Sequence, residues 1–332
     1  MTKIVCFGEI LIDLLAQPPA TPDTPRAFLQ YAGGAPANVA VAAAKLGADT
    51  HFAGMLGQDM FGDFLAQSLS DAGVATDCIV RTDQAKTALA FVALDAQGER
   101  SFSFYRPPAA DLLFRAEHFQ PACFEGTRTF HVCSNSLTEA EIAEATLQGM
   151  QRARAAGALV SLDLNLRPSL WPAEVDPTPR LWEALKLAEL VKLSREELDY
   201  LAAPLGIDGG DAVIQRLLGA NAQAVVVTDG AAPMRWFTRH DQGTVTGFQV
   251  PTVDSTAAGD AFVAGLLFAL GERGADGSAF AAFCRDAAGL REAIRFGAAV
   301  GALAVTRKGA FAAMPSLAEV TQLLQQQQDT AA

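Results

Sequence analysis

The chain lacks the common nucleotide fingerprints. No G-x-x-x-x-G-K-[ST] run occurs in its 332 residues, which excludes a P-loop nucleotidase. No G-x-G-x-x-G follows the first strand-like segment, which weakens a dinucleotide reading, and no HRD and DFG set marks a protein kinase. Basic residues are also short: 25 Lys and Arg face 37 Asp and Glu, a net charge of −12. That balance argues against a nucleic-acid partner, because phosphate backbones demand basic surface. An acidic chain can still bind ATP through local N–H clusters and a few placed Arg, Lys or metal ions. Its five cysteines (Cys6, Cys78, Cys123, Cys133, Cys284) are scattered and form no CxxC pair. This argues against a disulfide framework and against zinc, and fits a reducing cytoplasm. Apolar runs such as FVAGLLFAL are too short to span a bilayer. MTKIVCFGEI opens directly into a strand-like segment without a secretory leader, so a cytoplasmic protein is expected.

What is present is an α/β pattern. Half of the residues are apolar and 19% are charged, as in ordinary globular proteins, and the length allows one large α/β domain or two smaller ones. KIVCFG, THFAGML, ALVSLD, ELVKL and AQAVVVT read as short buried strands. Between them, PANVAVAAAKLG predicts a helix from Pro36 to a stop at Gly47, and MFGDFLAQSLSDAG one ending at Gly73. AEIAEATLQGMQRARAAG and SREELDYL are also helical. This order predicts a parallel sheet covered on both faces. The terminal QQQQDTAA is expected to fray. TALAFVALDAQGERSFSFYR breaks the pattern, with two strand-like runs around the turn DAQGE and with Phe102 and Phe104 alternating onto one face. It is either an edge ribbon or a lid over a site. The lid is favoured because PPAADLLF follows, a rigid turn of the kind that carries function.

Two stretches carry candidate chemistry. In DSTAAGDAFVAG, Asp254 to Gly265, Ser255 and Thr256 are good N-cap residues and the run after them reads as a buried helix. Ala257, Ala258 and Gly259 then fall at the helix start, where small side chains leave unpaired N–H groups open to an anion, phosphate above all. Asp260 lies in the first turn, either complementing the macrodipole or acting beside that anion. In YAGGAPANVAVAAAKLG, Gly33-Gly34 permits unusual backbone angles or close approach. Asn38 interrupts an Ala/Val helix, capping its neighbours or holding a ligand. Asp13 interrupts the apolar GEILIDLL, and an acid there needs partners such as sugar hydroxyls. Asp13, Gly34 and Asn38 could converge on a polyol.

Together, GG-x-x-x-N before a small-residue helix and D-S-T-A-A-G-D-A-F resemble the two motifs of the ribokinase/PfkB family of sugar kinases. FGEILIDLL, AVVVTDG and AVTRKGAFAAMP extend the resemblance over nearly the whole chain. SFYRPPAADLLF and DLNLRPSLWP resemble the fructokinase branch. The resemblance implies one ribokinase-like domain over 1–332: a three-layer α/β/α core with a mainly parallel sheet, plus a small β-sheet lid from segments 12–34 and 86–110. It also implies ATP-dependent phosphorylation of a sugar hydroxymethyl group.

The implied roles follow by position. Asp260 is the base that accepts the hydroxyl proton, and N–H groups around Ala257, Ala258 and Gly259 hold the charge of the transferred phosphoryl group. Asp13, Gly33, Gly34 and Asn38 match the sugar set, and Tyr105 and Arg106 match lid residues that reach the sugar. Asn165 and Arg167 match a pair between sugar and phosphates. Lys192, Thr228, Gly230 and Gly259 match the nucleotide side, with Gly309 over the adenine. Asp254 matches an acid near a monovalent cation such as K⁺, and Glu197 an acid linked indirectly to Mg²⁺. Three departures stand out: AAGD for the usual GAGD, Ser194 for the amide of N-x-x-E, and Asp229 for an apolar residue. The resemblance implies fructose 6-phosphorylation by a homodimer joined through the lid, without nucleic-acid or membrane partners. Its rivals are 2-keto-3-deoxygluconate, ribose or a nucleoside as acceptor, and a sugar-sensing protein without turnover.

Overall fold

Ile4 and Cys6 of the first strand point into one apolar core, and Val5 and Phe7 into another. That period-two split repeats across the central strands. Ala224 and Val226 join the first core while Val225 and Val227 join the second. A strand buried on both faces needs apolar residues at every position, hence the continuous runs.

The computed structural model describes residues 2–17, 21, 23, 25–94, 100–206, 209–275 and 277–329. The chain runs β1 (Lys3–Phe7), β2 (Leu11–Ala16), β3 (Phe28–Gly33), α1 (Ala35–Leu46), β4 (Asp49–Gly57), α2 (Met60–Asp71), β5 (Ile79–Thr82), β6 (Leu89–Leu94) and β7 (Arg100–Tyr105). It continues through β8 (Thr129–Cys133), α3 (Ala140–Ala155), β9 (Leu159–Asp163), α4 (Thr178–Leu185), β10 (Leu190–Ser194), α5 (Arg195–Ala202) and α6 (Gly209–Gly219). It closes with β11 (Ala224–Asp229), β12 (Ala232–Thr238), β13 (Gln242–Val245), α7 (Ala258–Glu272), α8 (Phe280–Phe283), α9 (Ala287–Ala304) and α10 (Leu317–Asp329).

Nine strands form one sheet in the order β13-β12-β11-β10-β9-β8-β1-β4-β5, parallel from β11 to β5 and antiparallel at β12 and β13. α1, α2, α7, α9 and α10 cover one face, and α3 to α6 the other, giving three layers. A second sheet of four strands, β3-β2-β6-β7, stands apart with a small core of Leu11, Ala88, Ala90 and Ala109, against which Phe104 packs. The expected hairpin is its β6–β7 pair. The turn 95–99 and the Phe102 side chain lie outside the described residues.

Local signals explain the helix ends. Pro36 opens α1, and Gly47 closes it in the left-handed conformation at φ 102°, donating to Ala43 and Ala44 carbonyls. α7 and α9 approach closely because both are notched: a Cβ at Gly265 would lie 2.6 Å from Val300 Cγ2 and 2.9 Å from Gly297 Cα. Two expectations are corrected. Gln325–Gln328 does not fray but continues α10 to Asp329, and 330–332 lie outside the described residues. α7 is capped neither by Ser255 nor by Thr256. Its N-cap is Ala257, at φ 58°, with no side-chain cap. Among the described residues, no helix is long and apolar enough to cross a membrane.

Candidate active site

The parallel strands end on one edge of the large sheet, and the loops beyond them meet the start of α7. Open α/β sheets bind ligands at that edge. Asp260, in the first turn of α7, is buried there. Its Oδ2 accepts from Asn38 Nδ2 at 2.7 Å and its Oδ1 from Asn165 Nδ2 at 3.3 Å. Asn38 is on α1. Asn165 leaves β9 in the left-handed region at φ 40°, which asparagine tolerates better than most residues. Both amides are buried, and each lies far from Asp260 in sequence.

Burial pushes the Asp260 carboxyl up to about 7; the Asn38 hydrogen bond opposes this, the Asp163 charge adds to it, and Arg167 and Lys192 oppose it. A carboxyl poised there can take a proton at neutral pH. Beside it, Lys192 Nζ pairs with Asp163 Oδ1 at 3.0 Å, both side chains being buried. Burial works against the Lys192 charge, but Asp163, Glu197 and Asp260 outweigh it and raise its pKa. Its ammonium faces the helix start: a Cβ at Gly259 would lie 3.4 Å from Nζ. Ala261 N–H closes the first helical bond to Ala257 O at 2.8 Å, and Ala258 N–H turns back to Ser255 O at 3.3 Å. The Gly259 and Asp260 N–H groups fall in the first turn, where a helix supplies no partner. Arg167 is exposed at the rim, its Nη1 donating to Leu166 O at 3.2 Å.

A buried proton acceptor beside a helix-start anion site and a fixed ammonium suits phosphoryl transfer to a hydroxyl. A model of the pfkB family of carbohydrate kinases matches residues 1–317. The chain belongs to that family. It is similar to fructokinase-1 of Zea mays, 40% identical over 331 residues covering 97% of each chain. It is also similar to the crystal structure of fructokinase with bound ATP from Xylella fastidiosa, at 61% identity and TM-score 0.94, covering 98% of this chain and 99% of that one. A fructokinase from Vibrio cholerae O395 in fructose, ADP and calcium ion bound form matches at 31% identity and TM-score 0.83, over 98% and 99% of the two chains.

This pfkB-family site places the expected sugar residues along the seam between the sheets. A Cβ at Gly33 would lie 2.2 Å from Asp13 Oδ2, and one at Gly34 would lie 2.6 Å from Glu9 O. The two glycines therefore admit the protein's own acid and backbone, and Gly34 takes φ 111°. Asp13 is half-buried on β2, opposite Tyr31 of β3. Tyr105 is 66% exposed and packs edge-on against Phe91. Arg106 is fully buried rather than outward: its Nη2 lies 2.7 Å from Asp111 Oδ2, and its Nε donates to the same oxygen at 2.8 Å. Burial opposes the Arg106 charge, but Asp111 and Glu9 outweigh it. Glu9 in turn accepts from Asn135 Nδ2 at 3.0 Å and from the Ala35 N–H at 3.2 Å, at the start of α1.

On the other side, Thr228 and Gly230 lie where β11 ends and turns into β12. Thr228 Oγ1 donates to Leu193 O at 3.4 Å. Asp229 is exposed and opposes Ala232 at a bulge, so a polar residue there opens the turn in which Gly230 takes φ 53°. Asp254 is buried and joins two loops, Oδ1 accepting from Thr256 N–H at 2.9 Å and Oδ2 from Gly309 N–H at 3.1 Å. A Cβ at Gly309 would lie 3.8 Å from the Tyr31 ring, so this loop sits against the small sheet. Ser194 and Glu197 form a capping box at α5: Ser194 Oγ accepts from Glu197 N–H, and Glu197 Oε2 from Ser194 N–H at 2.7 Å. Glu197 Oε1 accepts from Leu166 N–H at 2.9 Å, which ties α5 to the loop carrying Asn165. Sequence reasoning missed Asp163, Glu9 and Asp111. An acid closing the apolar strand ALVSLD was the available signal for Asp163.

Proposed function

We propose that this chain transfers the γ-phosphate of ATP to the 6-hydroxyl of D-fructose. The observation that carries the reading is the buried Asp260 carboxyl, raised to about 7 and clamped by Asn38 and Asn165 at the helix start. The fructokinase names of its relatives support the sugar. Asp260 accepts the hydroxyl proton while the Asn165 and Asn38 amides fix its orientation. The α7 N–H groups at Ala257 and Gly259, with Lys192 and Arg167, hold charge on the transferred phosphoryl group, whereas the Ala258 N–H, expected to join them, is turned back onto Ser255 O. Asp13, Gly33, Gly34, Asn38 and Tyr105 line the sugar side, and Arg106, enclosed with Asp111, braces that side rather than reaching the sugar. Thr228, Gly230 and Gly309 line the nucleotide side.

Mg²⁺ bound with ATP would supply neutralisation of its phosphates. Both Glu197 oxygens already accept backbone N–H groups, so Glu197 serves that ion by holding loops. Asp254, whose oxygens accept from the Thr256 and Gly309 N–H groups, is a buried carboxylate joining two loops, which supports a nearby monovalent cation such as K⁺. Five free thiols, all buried, support a reducing cytoplasm. Phe28 and Leu29, 40% and 46% exposed on β3, support a homodimer through the small sheet. The test is ATP consumption with D-fructose, 2-keto-3-deoxygluconate, ribose and a nucleoside. Fructose is expected to give the largest kcat/KM. A larger value for 2-keto-3-deoxygluconate overturns the sugar, and no turnover with any overturns the kinase.

A further inference from the structure

The opposite edge of the large sheet, where its strands begin, carries a second cluster. Lys3 opens β1, Asp49 opens β4, and Asp77 and Cys78 precede β5. Cys123 lies ahead of β8. His51, on β4, turns its ring between two carboxylates: Nδ1 lies 2.8 Å from Asp77 Oδ1 and Nε2 lies 3.4 Å from Asp49 Oδ1. Cys78 completes the group, with the ligand atoms of His51, Asp77 and Cys78 all within 4.8 Å of one another. Cys78 is fully buried, His51 is 13% exposed at its side chain and Asp77 50%, so the thiol forms a floor and the carboxylate a mouth. The Cys78 and Cys123 thiols hydrogen-bond with each other. Lys3 is held beside them, its Nζ donating to Ala122 O at 2.7 Å and Glu125 O at 3.1 Å.

Imidazole, carboxylate and thiolate form a borderline donor set suited to zinc. Tetrahedral zinc, with bonds of about 2.0–2.3 Å, sets its donors roughly 3.5 Å apart, so the 2.8 Å His51–Asp77 contact must open slightly while the wider separations in the cluster, all within 4.8 Å, close. A metal-bound imidazole usually gives its other N–H to a carboxylate, which is where Asp49 stands. The Cys123 hydrogen bond and burial push the Cys78 thiol up, with the Lys3 charge opposing them, so zinc must displace the thiol proton on binding. The lack of a CxxC pair did not exclude such a site, because its ligands come from segments that only the sheet brings together. An imidazolium bridging two carboxylates would account for His51, Asp49 and Asp77 without using Cys78.

We propose that His51, Asp77 and Cys78 form a zinc-binding site away from the active site, with Asp49 orienting the imidazole and a fourth position open to water. The full chain, stripped with chelator and kept free of ATP, is titrated with Co²⁺ as the probe. One equivalent is expected to produce a thiolate-to-cobalt charge-transfer band that Zn²⁺ abolishes. Cys78→Ser and His51→Gln should each lose the band, Cys284→Ser should keep it, and Asp49→Asn should weaken binding by about 10–100-fold. Zn²⁺ should also raise the melting temperature of the native chain, as a ligand of the folded state does, and not that of His51→Gln. Absence of the band from the native chain, or its survival in a folded His51→Gln chain, overturns the site and leaves the bridging imidazolium. His51→Gln keeps the buried thiols in place, so it remains decisive if Cys78→Ser fails to fold.

Discussion

The large sheet is buried on both faces, whereas the small sheet has a core of a few small residues and leaves Phe28, Leu29 and Tyr105 exposed. The contrast divides the labour at the site. Groups that must not move, Asp260, Asn165, Lys192 and Asp163, hang from the large sheet and its helices, where dense packing fixes rotamers. Groups assigned to the sugar, Asp13 and Tyr105, hang from the small one, which has little core of its own. The Arg106–Asp111 pair and Glu9 tie the two together at the start of α1. On the proposed function, geometry for the chemical step comes from the densely packed body, and the sugar-side contacts from the thin one.

Removing the base should break the rigid half most severely. Asp260→Asn is expected to lower kcat by about 10²–10⁴-fold with KM nearly unchanged, because an amide cannot take the proton. Its shape fits: among the described residues Asn38 Oδ1 has no hydrogen-bond partner, so rotating that amide restores a bond to the new NH₂. For the native enzyme, kcat/KM should rise with pH through about 7 and then level, while the variant stays flat. Stability runs the other way. A carboxyl at about 7 in the fold and about 3.9 unfolded holds its proton more tightly when folded, so stability falls as pH rises through that window. The melting temperature of Asp260→Asn relative to native should therefore climb over the same window. A normal kcat would remove Asp260 from the chemistry, and a constant difference in melting temperature would remove its burial shift.

The thin half is tested at Leu29. If β3 packs against a second copy, Leu29→Lys places an unpaired ammonium there, costing a few kcal/mol, or about 10²-fold in dimer Kd. Light scattering at micromolar concentration should show a dimer for the native chain and a monomer for the variant, with sugar KM rising and ATP KM unchanged. A native monomer with full activity refutes the shared sheet.

The same division governs what could be read from the sequence. Strands such as KIVCF and AVVVT were legible because burial on both faces leaves continuous apolar runs. Asn38 stood out because an amide has little structural reason to interrupt an Ala/Val helix, whereas Asp260 alone could have been complementing the helix dipole and stood out only beside the small residues at the helix start. Their hydrogen bond, across 222 positions, was not legible. The enclosure of Arg106 was hidden for a similar reason: its partner Asp111 lies in a loop with no periodicity to place it. The capping of α7 was misread because Ser255 and Thr256 have the right chemistry for a cap, whereas the chain instead turns left-handed one residue later, at Ala257.

That turn gives the smallest expected effect. Ala257 holds φ 58° and ψ 15°, a conformation that costs a residue with a Cβ roughly 1–2 kcal/mol. Glycine avoids the strain but loses about 0.5–1 kcal/mol more in chain entropy on folding. Ala257→Gly should therefore stabilise by less than about 1 kcal/mol, visible as a small rise in the denaturant midpoint at constant slope. Its N–H is retained and Asp260 keeps both amide partners, so kcat should hold. The methyl group is the only thing removed from the phosphate side of the helix start. An increase in kcat with unchanged stability would mean that the methyl obstructs the transferred group, and a loss of more than a kcal/mol would mean that the left-handed turn carries no strain here.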